Sequence, residues 1–261
     1  MRRARARPFS PGSLHSTKAE ATLSEPRKVL LIRSTTFIVL ALLVLSGSLF
    51  GFVPELDLAA ARLFWREGQG FIGVTPFGEM LRSIFYVAPF WIAGGATLGW
   101  IMRRLGGKNP FLPTGRALTF LALTLALAPG LLTNVILKDN SHRPRPVQTQ
   151  DMGGQWEFRP WYRFDGQCER NCSFVSGETA SAFWTLAPAL ITPLTVRPVA
   201  IIAAIVFGAA TGLLRVAFGG HYLSDTIFAG LLTILIILGL YRLLLGAKSK
   251  ESDLRDERAA L

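Results

Sequence analysis

Cysteine is nearly absent: the 261 residues include two, Cys168 and Cys172, with Glu169, Arg170 and Asn171 between them. A zinc site would need a second ligand pair at a matching spacing, and the chain has none. It also lacks an RNA-binding aromatic signature and an internal repeat, which sets aside RNA-recognition and repeat architectures. Residues 1–26 (MRRARARPFSPGSLHSTKAEATLSEP) resemble neither a signal peptide nor a lipidation signal. Acidic residues are fewer than basic ones, 17 against 28, for a net charge of +11. In a soluble protein that excess would suggest nucleic acid. Here the basic residues gather at the tails and in short loops, so they read as membrane-surface and topology signals, and no nucleic-acid partner is expected.

What the chain does have is long apolar runs. Half of its residues are hydrophobic, and they come in blocks with few charges. A bilayer core of ~30 Å takes about 20 apolar residues in a helix. Six segments are candidates: about Thr35–Val53, Ile84–Met102, Ala117–Leu137, Thr179–Leu194, Val199–Phe218 and Tyr222–Leu245. The fourth is short and holds Pro188 and Pro193; burial among other helices would excuse it. The expectation is an all-α, polytopic membrane protein, a six-transmembrane helical bundle. Residues 1–28 form a disordered basic cytoplasmic tail, residues 29–246 the membrane domain with an extracytoplasmic loop over 138–173, and residues 247–261 a charged cytoplasmic tail.

Loop charge orients this bundle. Arg2, Arg3, Arg5, Arg7, Arg103, Arg104, Lys108, Arg116, Arg197, Arg242 and Lys248 fall on one side of a six-span chain, which makes that side cytoplasmic. The opposite loop breaks the charge rule with Lys138, Arg143, Arg145, Arg159, Arg163 and Arg170. A functional demand for positive charge there explains the exception. In an extracytoplasmic loop Cys168 and Cys172 are expected to form a short disulfide; two free thiols are the alternative.

Three segments carry chemistry. Lys138-Asp139-Asn140-Ser141-His142-Arg143-Pro144-Arg145-Pro146 crowds cations at a membrane boundary, where guanidinium and ammonium groups suit phosphate oxygens or, equally, lipid headgroups. Ser173-Phe174-Val175-Ser176-Gly177-Glu178 precedes the fourth apolar segment. A Ser-Gly step at a helix start offers free N–H groups to an anion, though an ordinary N-cap by Ser176 with Glu178 near the positive helix end reads the same residues. Arg215 to Asp225 joins the last two spans. His221 and Asp225 lie four apart, on one helix face, so the carboxylate can hold one imidazole nitrogen and leave the other as a nucleophile. Ionisable groups beside a bilayer are costly and therefore functional candidates.

Together these segments resemble the type 2 phosphatidic acid phosphatase family, the membrane relatives of vanadium haloperoxidases. Lys138 and Arg145-Pro146 match its first motif. Ser176-Gly177 match the centre of its second, with Val175 in place of Pro and Glu178 in place of His. Arg215, His221 and Asp225 match its third, with Leu214 in place of Ser. The resemblance implies a metal-independent phosphatase that needs no cofactor. His221 would attack phosphorus and form a phosphohistidine, oriented by Asp225. Lys138, Arg145, Arg215, Ser176 and the Gly177 N–H would hold the phosphate oxygens. The proton for the leaving group would come from a neutral Glu178 or from His142.

The expected partners are the bilayer and a lipid phosphate substrate. Lipid A phosphate or a polyprenyl pyrophosphate fits best, because the loop with Trp156, Arg159, Trp161, Arg163 and Arg170 can meet a large charged headgroup. A lipid phosphotransferase using the same intermediate, or a non-catalytic headgroup-binding or transport protein, are the competing readings.

Overall fold

The computed structural model describes residues 25–109 and 111–246, with side chains from residue 32 onward. The N-terminal tail expected to be disordered lies almost wholly outside this range, and the charged C-terminal tail over 247–261 lies wholly outside it. Within the range the chain is mostly helical, with one short hairpin and one long irregular loop. Helix α1 (Glu25–Phe52) is followed by α2 (Glu55–Arg62), the strands β1 (Trp65–Arg66) and β2 (Gly70–Phe71), then α3 (Pro76–Arg104). Helix α4 (Gly115–Leu125) runs on as a π-helix over Ala126–Leu137 and closes with the α-turn α5 (Lys138–Asn140). After a long irregular loop come α6 (Gly177–Trp184), α7 (Leu186–Leu190), α8 (Arg197–Ala217) and α9 (Leu223–Leu244).

Five stretches are long and apolar enough to cross a membrane: Ile32–Phe52, Pro76–Arg104, Gly115–Asn140, Arg197–Ala217 and Leu223–Leu244. Their outer faces are exposed and apolar, as at Phe37, Trp91 and Ile202. Such a continuous apolar surface belongs to a protein whose solvent is lipid. The fourth expected span is not of this kind. It is two short helices, α6 and α7, broken at Thr185. At 1.5 Å per residue the pair reaches roughly 21 Å, short of a bilayer core of about 30 Å.

That short pair is the centre of the bundle. Helix α6 packs against α3, the π-helical stretch, α8 and α9. The sequence permits this because the neighbours present glycines: a Cβ at Gly208 or Gly230 would lie 2.6 or 2.7 Å from the Phe183 ring. Trp184 fills the core with Phe120, Leu121 and Ile237, and its indole N–H donates to Thr124 Oγ1 at 2.9 Å.

The interhelical connections sort into two ends. At one end Arg103, Thr114, Ile191, Arg197 and Leu245 gather around a shared groove. At the other, the end of the π-helix, the start of α6, the end of α8 and the start of α9 converge. The segment between α1 and α3, with α2 and the hairpin, folds over this second end. The hairpin packs on the turn between α8 and α9: Gly73 N–H donates to the Ala217 carbonyl at 2.9 Å, and Phe71 lies against Gly219, which has φ +62°.

Candidate active site

His221 lies in the turn between α8 and α9 and is buried. Its Nδ1 donates to the Ser173 carbonyl at 2.6 Å. Asp225, the partner expected to hold the ring directly, is 3.8 Å from the same nitrogen. Asp225 acts one step back: its carboxylate accepts from the Ser173 hydroxyl and from the Tyr222 N–H, the latter at 2.8 Å. It therefore fixes the residue whose carbonyl fixes the imidazole. With the proton committed to Nδ1, Nε2 keeps its lone pair. Burial pulls the His221 pKa down to about 4, against the raising effect of Asp225. The ring is neutral at physiological pH, as a nucleophile must be.

Behind Asp225 is a layer that the sequence reading did not contain. Arg143 is fully buried and donates to Asp225, to Ser224 Oγ at 2.9 Å, to Asp57 Oδ2 at 2.7 Å and, through Nε, to the Arg159 carbonyl at 2.8 Å. Asp57, from α2, also accepts from the N–H and hydroxyl of Ser224, at 2.9 and 2.6 Å. The guanidinium lies 4.3 Å from the Tyr222 ring centroid. Four of its five N–H bonds have partners and each of its three nitrogens makes at least one hydrogen bond, which is what makes so deeply buried a cation tolerable. The clue was present in sequence as Arg143 beside Arg145 in one cationic run, but Asp57 is 86 residues away from Arg143 and carried no signal.

The expected phosphate-binding groups converge on the same end. Lys138 closes the π-helix, whose wider turn re-aims the residues after it. Its Nζ lies close to α6: a Cβ on Gly177 would sit 3.3 Å from it and 2.6 Å from Asn134 Oδ1, so a larger residue there would push both side chains aside. Lys138, Arg145 and Arg215 are near enough for their charges to act on one another and on Glu178. The buried Nε of Arg215 has no hydrogen-bond partner among the described residues. Ser176 is the N-cap of α6, its oxygen accepting from Thr179 N–H at 3.4 Å and from Thr179 Oγ1 at 2.7 Å. Its own hydroxyl proton is left for another acceptor.

Glu178 differs from expectation. Arg82, on α3, donates to both of its oxygens through Nε at 3.2 Å and to Oε1 through Nη2 at 2.8 Å. Arg215 Nε lies 3.5 Å from the same carboxylate. A carboxyl group in a guanidinium fork is an anion. The expectation of a neutral Glu178 is thereby corrected: ion pairing outweighs the burial that would protonate it. Arg82 was not singled out in sequence, because it falls before the apolar core of α3. The rival acid, His142, is half-buried with φ +51°, and its Nδ1 pairs with the Cys168 carbonyl at 2.9 Å.

Cys168 and Cys172 are joined as a disulfide. In the loop that follows the first motif, Arg159 pairs with Glu157 at 2.7 Å and Arg163 with Asp165. Those two cations, expected to face a headgroup, are thus partly neutralised within the loop. Among the described residues no group of three or more His, Cys, Asp or Glu side chains is gathered to hold a metal ion.

A helical membrane protein with a buried neutral histidine beside clustered cations is a class that handles anions at a membrane face. The model of the PAP2 superfamily matches residues 117–248, and the chain belongs to that superfamily. A protein named lipid A 4'-phosphatase from Francisella tularensis subsp. novicida is 42% identical over 118 residues, 44% of this chain and 53% of that protein. Proteins of the same name from Rhizobium leguminosarum and Rhizobium etli are 33% and 34% identical over 168 residues, 63% of this chain and 71% and 65% of theirs. The match thus spans about half the length of the Francisella relative. No solved structure matches the chain.

Proposed function

We propose that this integral membrane protein is a lipid phosphatase acting through a phosphohistidine. The observation that carries the reading is His221, buried and neutral, with Nδ1 tied to the Ser173 carbonyl while Arg215 and Lys138 act on it from nearby. In the first step His221 Nε2 attacks phosphorus and the P–O bond to the lipid breaks, the leaving oxygen taking a proton from His142 or from water. Lys138, Arg145 and Arg215 stabilise the equatorial oxygens, where negative charge concentrates. In the second step water attacks the phosphohistidine, the P–N bond breaks, and inorganic phosphate leaves. Glu178, ionised between Arg82 and Arg215, takes part as a charge rather than as a proton donor.

The substrate is the phosphate of lipid A, the lipid that the relatives' names carry. A polyprenyl pyrophosphate is the second candidate, since the same cations suit it. We read α6–α7 as a short, enclosed sixth pass beside the five long apolar spans of the described residues. This puts both tails on the cytoplasmic side, where Arg103, Arg104, Arg197 and Arg242 also lie, and the site on the periplasmic face of the inner membrane. The test is phosphate release by the detergent-purified protein from a panel of lipid A, polyprenyl pyrophosphate, phosphatidic acid and phosphatidylglycerophosphate. Release from lipid A, abolished in His221→Ala, supports the reading. No release from any of them overturns it.

A further inference from the structure

Asn171 touches both leading cations of the phosphate site. Its side-chain oxygen accepts from Lys138 Nζ at 3.2 Å and from Arg145 Nη2 at 3.0 Å, and its backbone carbonyl accepts from the same Arg145 nitrogen at 2.9 Å. Two cations held close repel one another. A shared acceptor fixes both without cancelling their charge, which an aspartate would do. Asn171 has φ +52°, a left-handed conformation that asparagine tolerates better than most residues.

What holds Asn171 there is the loop around it. The Cys168–Cys172 disulfide closes a ring in which Asn171 is the residue before the second cysteine. The ring is laced to the first motif: Cys168 N–H donates to the His142 carbonyl at 3.2 Å, Cys172 N–H to the Lys138 carbonyl at 3.2 Å, and Ser173 N–H to the Arg143 carbonyl at 2.9 Å. Both cysteines are buried, whereas Asn171 and its neighbours Glu169 and Arg170 are exposed. Opened, the ring would leave Asn171 in a solvated stretch held by backbone hydrogen bonds alone, at Cys168 on one side and at Cys172 and Ser173 on the other, and by the long contact of its own N–H to Asp139 Oδ1 at 3.5 Å.

We propose that Asn171 is a positioning residue for Lys138 and Arg145, and that the Cys168–Cys172 disulfide keeps it in place, so that affinity for phosphate depends on the bond. The proposal rests on the phosphatase reading for its kinetic consequence. Loss of the clamp weakens the grip on phosphate oxygens in substrate and in transition state alike, so it raises KM more than it lowers kcat.

The experiment uses the full chain in detergent, with inorganic phosphate as competitor of lipid A hydrolysis. Three arms are compared with the parent: Asn171→Ala, Cys168→Ser with Cys172→Ser, and the parent reduced by dithiothreitol, which converts the disulfide to two thiols as it is itself oxidised. Asn171→Ala removes the two side-chain hydrogen bonds to Lys138 and Arg145 and keeps the backbone one. The loss predicts KM and the inhibition constant for phosphate rising together by about tenfold, with kcat within about twofold. Dithiothreitol has no further effect on the double-serine variant. Constants in Asn171→Ala that stay within about twofold of the parent, or a fall confined to kcat, overturn the proposal. If the double-serine variant does not fold, Asn171→Ala and the reduced parent decide. If the parent hydrolyses no lipid, the function reading fails separately. The clamp is then read from the rise in melting temperature that inorganic phosphate gives the parent: its loss in Asn171→Ala supports the clamp, and its retention refutes it.

Discussion

Arg143 and Asp225 form an ion pair with both side chains fully buried, and neither partner is the nucleophile. The pair ties the loop after the π-helix to the start of α9. Asp57 joins it from α2, so three distant parts of the chain meet behind His221. Burial pushes the Asp57 carboxyl above its usual range, with the Arg143 charge opposing. The network depends on all its members being present.

Arg143→Ala therefore leaves two buried carboxylates without their cation. Breaking a buried pair from one side costs about 3–5 kcal/mol. The expected outcome is a large fall in thermal stability together with loss of phosphatase activity. Asp57→Asn, which keeps shape and leaves Arg143 paired with Asp225, is expected to be milder in both assays. Equal damage from the two substitutions would count against the network.

The pH dependence of kcat/KM follows from the lowered pKa of His221. A free imidazole would lose its neutral form below about 6.5. Held near 4, His221 stays neutral through the mildly acidic range, so the acid limb that it contributes falls near pH 4. The same shift affects folding. The unfolded chain binds this proton more readily than the folded one, so the stability linked to His221 is complete above about pH 6.5 and is lost as pH falls towards 4. Activity and melting temperature measured from pH 4 to 8 check both statements.

Glu178→Gln discriminates between charge and acid roles. An obligatory proton donor gives an alkaline limb in kcat that disappears with the carboxyl group. Because Glu178 is ionised by Arg82 and Arg215, the pH profile of Glu178→Gln is expected to keep the parent's shape. Arg82→Ala is expected to lower activity by an order of magnitude, since it frees Glu178 to repel the substrate phosphate at close range.

Gly230→Ala tests the packing that lets α6 sit at the centre. Its Cβ would come within 2.7 Å of Phe183, a ring enclosed by α8 on its other side. Overpacking of this sort costs about 1–3 kcal/mol. The expected result is a lower temperature of irreversible inactivation, with little change in KM at temperatures where the protein is folded.

Five spans were legible because each is a long apolar block, and a bilayer selects for length and composition. The central α6–α7 pair was legible only as an exception. Its Pro188 and its small residues mark a helix that neighbours must cover, yet how it is covered rests on Gly208 and Gly230, which are ordinary residues of apolar helices in sequence. Helix α2 and the hairpin were missed, because short elements between spans have too few residues for a periodicity to show.

The site divides along the same line. Local spacing carried Lys138 with Arg145, Ser176 with Gly177, and His221 with Asp225, since each pair is read within a few residues. By itself the sequence determined that these cations and this histidine exist at one end of a membrane bundle. Only the tertiary structure decided their partners. Ser173 rather than Asp225 receives the imidazole proton, Arg82 ionises Glu178, Asp57 completes the buried network, and Asn171 joins Lys138 to Arg145. All four are contacts across loops or between helices. Hydrogen bonds and ion pairs act over a few ångströms, so they depend on which backbones the fold brings together, and sequence separation does not record that.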